Sequence, residues 1–188
     1  MTEREKKVTA FFGGSFDPPH PGHLGVALGA LESGRCDRVL WAPAYAPPHK
    51  KGVERAPFEK RMEMVSGLIS EYPDMLVSDI ENRLALVPSY TIDVLEYAQA
   101  ETDGRLVLLI GEDSLAQLHT WHRAHELVER YEILTYPRNT GVVDEKYLKV
   151  YSAEDDKQTW FEKLKICASE CGFVDMKTYK ASPESFKG

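Results

Sequence analysis

Eleven consecutive residues near the start of the chain, Gly13-Gly14-Ser15-Phe16-Asp17-Pro18-Pro19-His20-Pro21-Gly22-His23, combine types that suit phosphate chemistry. Glycines at the end of an apolar run let the backbone approach a ligand and present its N–H groups. Pro21 marks the first turn of a helix, whose start offers unpaired N–H donors and positive partial charge to an anion. His20 and His23, three apart across that helix start, fall on one face. Two imidazoles there donate hydrogen bonds to a triphosphate and stabilise charge that builds in a transition state. The plainer alternative is a helix-capping turn with two surface histidines. A lone His-x-Gly-His favours that alternative; the full eleven-residue order favours phosphate.

Three other groupings carry less. His49, Lys50, Lys51, Arg55, Lys60 and Arg61 crowd one short stretch, either as a local anion site or as a solvated surface run. His119, His122 and His125 with Glu126 resemble a metal set, but on one continuous helix His119 and His125 would point far apart. No metal site is expected. Cys167 and Cys171 align with Trp160 and Leu164 on an expected helix, which favours core packing over metal binding.

The elements that must position these residues alternate in type. Val8–Phe12 is a buried strand that stops at Gly13-Gly14, and Leu24, Ala27, Leu28 and Leu31 then follow the helical period up to Gly34. Strands are expected at 39–42, 75–78, 106–110 and 133–136, with helices near 58–69, 89–100, 114–118 and 123–130. A polar loop then leads to a last helix at 154–171 and a short strand at 173–176. This alternation predicts a doubly wound α/β domain with a parallel sheet, right-handed crossovers and helices on both faces. Ligands of such sheets bind beyond the carboxyl ends of the strands, where strand order reverses. Residues 13–23, 43–51 and 111–121 all follow expected strand ends, so a shared cleft is predicted.

With 188 residues, 43% hydrophobic and 28% charged, the chain fits one soluble domain spanning residues 1–188. A net charge of −7 argues against nucleic acid as a partner but leaves room for a small anion in a locally basic cleft. No apolar run approaches membrane-spanning length, and the charged N-terminus lacks a signal-peptide core. Three cysteines, an odd number without a CxxC pair, read as reduced thiols of a cytoplasmic protein. Nothing in the pattern sets an oligomeric state.

The glycine–histidine segment resembles the signature of the nucleotidyltransferase superfamily that shares HxGH with class I aminoacyl-tRNA synthetases. In its extended form it is similar to bacterial nicotinate-nucleotide adenylyltransferases. Trp41-Ala42-Pro43 with Pro47-Pro48-His49-Lys50, Pro88-Ser89-Tyr90-Thr91-Ile92-Asp93, and Ile110-Gly111-Glu112-Asp113-Ser114 with Trp121 resemble further elements of that family, in the same order. The resemblance spans about residues 8–138. It implies a Rossmann-like nucleotidyltransferase fold and a direct displacement: the 5′-phosphate of a pyridine mononucleotide attacks the α-phosphorus of ATP, and pyrophosphate leaves. Catalysis of this kind works mainly by positioning and charge neutralisation.

By this resemblance His20, His23 and Lys50 are catalytic. Gly13, Gly14, Ser15, Phe16, Asp17, Gly22 and Gly111 surround ATP, whose phosphates Mg²⁺ bridges. Asp113 holds the ATP ribose. Ser89, Tyr90 and Thr91, at a helix start, receive the nicotinate carboxylate, and Trp121 stacks on the pyridine ring. Alternatively, Ser89 only caps the helix and Trp121 only packs in the core.

The family's closing ISSTxIR-like motif is altered. Ser182 and Lys187 take the first serine and the arginine positions and are its expected ATP contacts. Pro183 removes a donor, Glu184 replaces the threonine with a negative charge, and the chain stops at Gly188 before the family's final helix. An acidic group near a triphosphate costs on the order of 1–4 kcal/mol, depending on exposure. Val87 also stands where the family has glycine. An active adenylyltransferase is the first expectation. The alternatives are a nucleotide-binding relative without turnover, a truncated chain, or an enzyme that uses nicotinamide mononucleotide or phosphopantetheine as acceptor.

Overall fold

Val8–Gly14 forms strand β1, and every other residue of it turns to the opposite face of a mixed sheet. The structure, a computed structural model, describes residues 7–47, 54–111, 114, 117–136 and the backbone of 149–151. The remaining strands are β2 (Arg38–Pro43), β3 (Met75–Val77), β4 (Arg105–Gly111), β5 (Ile133–Tyr136) and β6 (Lys149–Tyr151). Their spatial order is β3-β2-β1-β4-β5-β6. The first five are parallel and β6 is antiparallel to β5. The chain therefore winds outward from β1 in one direction and restarts at β4 on its other side. The order reverses between β1 and β4, which opens a crevice beyond their carboxyl ends.

Helices α1 (Pro21–Glu32) and α2 (Phe58–Ile69) cover one face of this Rossmann-like sheet. Their Val26, Ala27, Ala30, Val65 and Ile69 pack with Ala10, Phe12, Val39, Trp41, Val107 and Leu109. Helices α3 (Ile80–Leu84), α4 (Thr91–Glu101) and α5 (Ala124–Arg130) cover the other, where Ile80, Leu95, Ala98 and Leu127 meet Phe11, Leu108, Ile110 and Ile133. Adjacent residues of β1 and β4 thus feed different cores, the signature of a sheet buried on both sides.

Several details depart from the sequence expectation. The fully buried stripe of α1 is Val26, Ala27, Gly29 and Ala30, with Leu24, Leu28 and Leu31 packed at its flanks. Small side chains bring the helix close to the sheet, so the leucines cover the edges. Helix α3, in a stretch where no element was expected, ends at Ala85 in a left-handed conformation, and Leu84 and Leu86 rest on the core. Val87 is 76% exposed, so its substitution for the family's glycine adds a side chain at the surface. Strand β6 falls in the stretch expected to be a polar loop. Residues 119–125 are not one helix: Leu118–Thr120 is a short 3₁₀ turn and Arg123 is left-handed (φ 53°). The expected helix at 154–171 and strand at 173–176, with Cys167 and Cys171, lie outside the described residues.

Cys36 is buried in the core, and burial, with Asp37 beside it, pushes its thiol up to about 12. No described helix is long and apolar enough to cross a membrane.

Gly104 has φ +92°, and a Cβ there would collide with the Lys7 carbonyl, which accepts the Arg105 N–H at 2.9 Å to start the β1–β4 pairing. Gly104→Ala is expected to cost about 2 kcal/mol and lower the melting temperature by roughly 4–8 °C. A melting temperature within a degree of the parent would show that this turn does not depend on glycine.

Candidate active site

The first turn of α1 is closed by imidazoles. His20, in extended conformation, is the N-cap, and Pro21 follows at the first helical position. Nδ1 of His20 accepts the N–H of Gly22 at 3.1 Å and of His23 at 3.4 Å. Nδ1 of His23 in turn accepts the His20 N–H at 3.2 Å. This is a capping box built from two histidines in place of the usual hydroxyl and carboxylate. The rings stack with centroids 3.8 Å apart and planes at 24°. With both Nδ1 atoms accepting, the proton of each neutral ring resides on Nε2, which makes Nε2 the donor. The two sequence readings of this segment, cap or phosphate site, are therefore compatible: capping through Nδ1 presets the tautomer that a phosphate oxygen requires.

Beneath the pair lies an aromatic floor. The His23 ring meets Phe16 edge-on at 5.0 Å and Phe12 at 6.3 Å, and both phenylalanines pack on buried Trp41. Phe16 is 1% exposed, so it acts from below as packing. It also explains Gly14, where an added Cβ would lie 3.1 Å from the Phe16 ring. Asp17 faces the second loop, its Oδ2 accepting the Ala56 N–H at 3.0 Å.

A cleft of about 590 Å³ joins these residues to the other half of the molecule. Gly13, Gly14, Ser15, Phe16, Asp17, His20 and His23 line one end, with Ser89, Tyr90, Thr91, Gly111 and Trp121 also in its wall. Gly22 contributes through its N–H to His20 and does not line it. The volume is that of a small-molecule site. Tyr90, the N-cap of α4, stacks on His122 at 4.1 Å. Trp121 both lines the cleft and packs on the core. Ser89 does not cap α4. Its N–H donates to the Ala46 carbonyl at 2.9 Å, and its Oγ accepts the Ala46 N–H at 3.1 Å. The Ser89 N–H is thereby occupied, so the donors left at this end are the first amides of α4, which have no intrahelical acceptor. Lys50, Asp113, Ser182 and Lys187 lie outside the described residues.

Residues 11–171 match the cytidylyltransferase-like family. The chain belongs to that family. Among its relatives, the probable nicotinate-nucleotide adenylyltransferase of Thermotoga maritima is 39% identical over 130 residues, 69% of this chain and 62% of that protein. The protein of the same name from Solibacter usitatus is 39% identical over 136 residues, 70% of this chain and 71% of its own. The Plasmodium falciparum nicotinic acid mononucleotide adenylyltransferase complexed with NaAD superposes with a TM-score of 0.61 at 18% identity, over 74% of this chain and 69% of that chain. That last likeness is one of fold. The chain spans less than two thirds of the length of the Thermotoga relatives.

In this cytidylyltransferase-like chain two buried charged residues hold the loops around the cleft: Arg61, which the sequence reading placed in a basic run as an anion site or a solvated face, and Glu81, which it did not name. Arg61 is 3% exposed and donates to three carbonyls: Ala44 at 2.7 Å, Ser15 at 3.0 Å and Ala56 at 3.0 Å. Burial pulls its guanidinium below the ordinary arginine range. A signal existed: Arg61, Val65 and Ile69 share the buried stripe of α2, so a charge stood at a core position. The second is Glu81, 6% exposed, which lines the cleft. Among the described residues no group of three or more His, Cys, Asp or Glu is placed to hold a metal ion. His125 instead pairs with Glu129 at 3.1 Å.

Capping and chemistry at His20 are separable. His20→Ala is expected to cost about 1 kcal/mol, whereas His20→Asn, a good N-cap, retains most of that stability. Chemical denaturation reads the difference; equal losses for both variants would show that the ring nitrogen is not the cap.

Proposed function

We propose that the chain transfers the adenylyl group of ATP to nicotinate mononucleotide, releasing pyrophosphate and forming the deamido dinucleotide. The observation that carries this reading is the stacked His20–His23 pair at the α1 N-terminus, sharing one cleft with the α4 N-terminus and Trp121. The names of the Thermotoga and Solibacter relatives support it.

ATP, used with a divalent metal and in our reading as MgATP, lies over the Gly13–Ser15 backbone. The Nε2–H groups of His20 and His23 and the N-terminus of α1 meet its phosphate oxygens. The mononucleotide places its pyridine ring against Trp121 and its carboxylate at the first amides of α4. Its 5′-phosphate oxygen attacks the α-phosphorus from the side opposite the bond to pyrophosphate, and that P–O bond breaks. The protein forms no covalent link. Fixed donors hold the negative charge that spreads over the α-phosphoryl oxygens, and they need not reorganise as the reaction proceeds. Lys50 adds a point charge, Asp113 binds the ribose hydroxyls, and Ser182 and Lys187 contribute to the phosphate clamp. Discrimination against nicotinamide mononucleotide rests on helix-terminal amides that favour a carboxylate. The reaction belongs to the cytoplasm, in keeping with reduced thiols, and one domain spans the chain.

A second reading, a nucleotide-binding protein without turnover, draws on Pro183 and Glu184 in the closing motif. Pyrophosphate release from MgATP with nicotinate mononucleotide separates the two. Turnover is expected, falling at least a hundredfold in His23→Ala. Trp121→Ala is expected to raise KM for the mononucleotide roughly tenfold with a smaller change in kcat. A folded wild-type protein that binds the mononucleotide but releases no pyrophosphate would establish the second reading.

A further inference from the structure

Glu81 is a buried acid at the cleft wall with no part in the transfer as described above. Its Oε1 accepts the Tyr45 N–H at 3.1 Å, and the Ser89 hydroxyl also hydrogen-bonds to its carboxylate. Ser89 in turn grips Ala46 through two hydrogen bonds. On the other side Ala44 donates to the Gly14 carbonyl at 2.8 Å, and Arg61 joins the Ala44 and Ser15 carbonyls. Three successive residues after β2, Ala44 to Ala46, are thus tied at one end to the loop bearing the phosphate-binding residues. At the other end they are tied to the start of α4.

We propose that Glu81 is a positioning residue for adenylyl transfer: as a carboxylate it fixes the Tyr45–Ala46 segment against Ser89 and so sets the spacing between the phosphate and pyridine ends of the cleft. The proposal rests on the adenylyl-transfer reading. The hydrogen-bond inventory suits the ionised form, which offers only acceptors. Ser89 Oγ accepts from Ala46, so its one proton is directed to Glu81, and a carboxylate accepts it while also accepting from Tyr45. A proton on Glu81 would convert one of those acceptors into a donor, so the Ser89 hydroxyl would have to turn its own proton away to receive it.

The charged groups facing Glu81 are Arg61 on α2 and Arg55 before it; Asp17 and Glu59 surround Arg61. Burial pushes the Glu81 carboxyl up to about 7, against the opposing pull of Tyr45, Ser89 and the two arginines. The folded chain therefore holds more protons than the unfolded one between the ordinary 4.5 and about 7. Stability falls as pH rises through that window, and the ionised acid is a cost to the fold above it. Position 81 then trades stability for alignment, which a purely structural residue does not.

The test compares wild type, Glu81→Gln and Ser89→Ala at pH 6–9 by kcat, KM and melting temperature with MgATP and nicotinate mononucleotide, and by mononucleotide titration without ATP. Glu81→Gln mimics the protonated acid. It is expected to lose about tenfold in kcat/KM at pH 8, to lack the rise that wild type shows through about pH 7, and to melt no lower than wild type. Ser89→Ala is expected to flatten the same rise. Wild-type kcat/KM in Glu81→Gln at pH 8, or a joint fall of kcat/KM and melting temperature, overturns the proposal. If wild type binds the mononucleotide without turnover, the functional reading fails by itself. A weaker titration in Glu81→Gln then still supports the positioning role, and an unchanged one overturns it.

Discussion

His20 closes the first turn of α1 with a ring nitrogen, and that hydrogen bond restricts every neighbouring group. Because Nδ1 of each histidine is engaged with backbone N–H groups, the rings cannot rotate and their tautomers are set. The stacked pair lies over Phe12 and Phe16, so the floor must be aromatic and buried. The floor in turn crowds any side chain at Gly14, where a Cβ would lie 3.1 Å from the Phe16 ring. A helix terminus that would otherwise take a hydroxyl or carboxylate cap is thereby closed by two imidazoles, which bring no negative charge to its positive end.

The loops around this turn are joined by buried charged side chains as well as by apolar packing. Arg61 is surrounded by carbonyl oxygens, which satisfy a guanidinium without neutralising it. Glu81 faces the opposite need and takes donors from Tyr45 and Ser89. Buried groups of both kinds are costly when unpaired, so their persistence at the cleft points to geometry over stability. By contrast, the ion pairs of Arg123 and Arg130 with Glu96 and Glu126 tie α4 to α5 at the surface, where such pairs contribute little.

The departures from the family pattern differ in weight. At Val87 the added side chain projects from the surface, away from the cleft. In the closing motif, Pro183 lacks an N–H donor and Glu184 is acidic where the resemblance expects phosphate contacts, and that motif lies outside the described residues.

Strong local patterns were sufficient for much of this. Five parallel strands and the bounds of α2 follow from apolar runs and helical period, because burial on both faces of a sheet demands nearly continuous hydrophobicity. The phosphate-type segment was legible because glycine, proline and paired histidines at a helix start have few other uses in that order. Helix α3 escaped because five residues are too short for a helical period to show, and strand β6 because Lys149-Val150-Tyr151 offers no apolar run. The buried stripe of α1 was displaced from its leucines because closeness of approach to the sheet, not hydrophobicity, selected alanine and glycine. Most of all, the long-range partners of Arg61, Glu81 and Ser89 were invisible in one dimension: Ala44, Ser15, Tyr45 and Ala46 lie 17 to 46 residues from the side chains that hold them. The sequence by itself determined which side chains have the chemistry to meet an anion and which apolar runs form the parallel strands. Only the tertiary structure decided which polar groups meet, because a buried hydrogen bond is defined by the spacing of strands and loops and not by the distance along the chain.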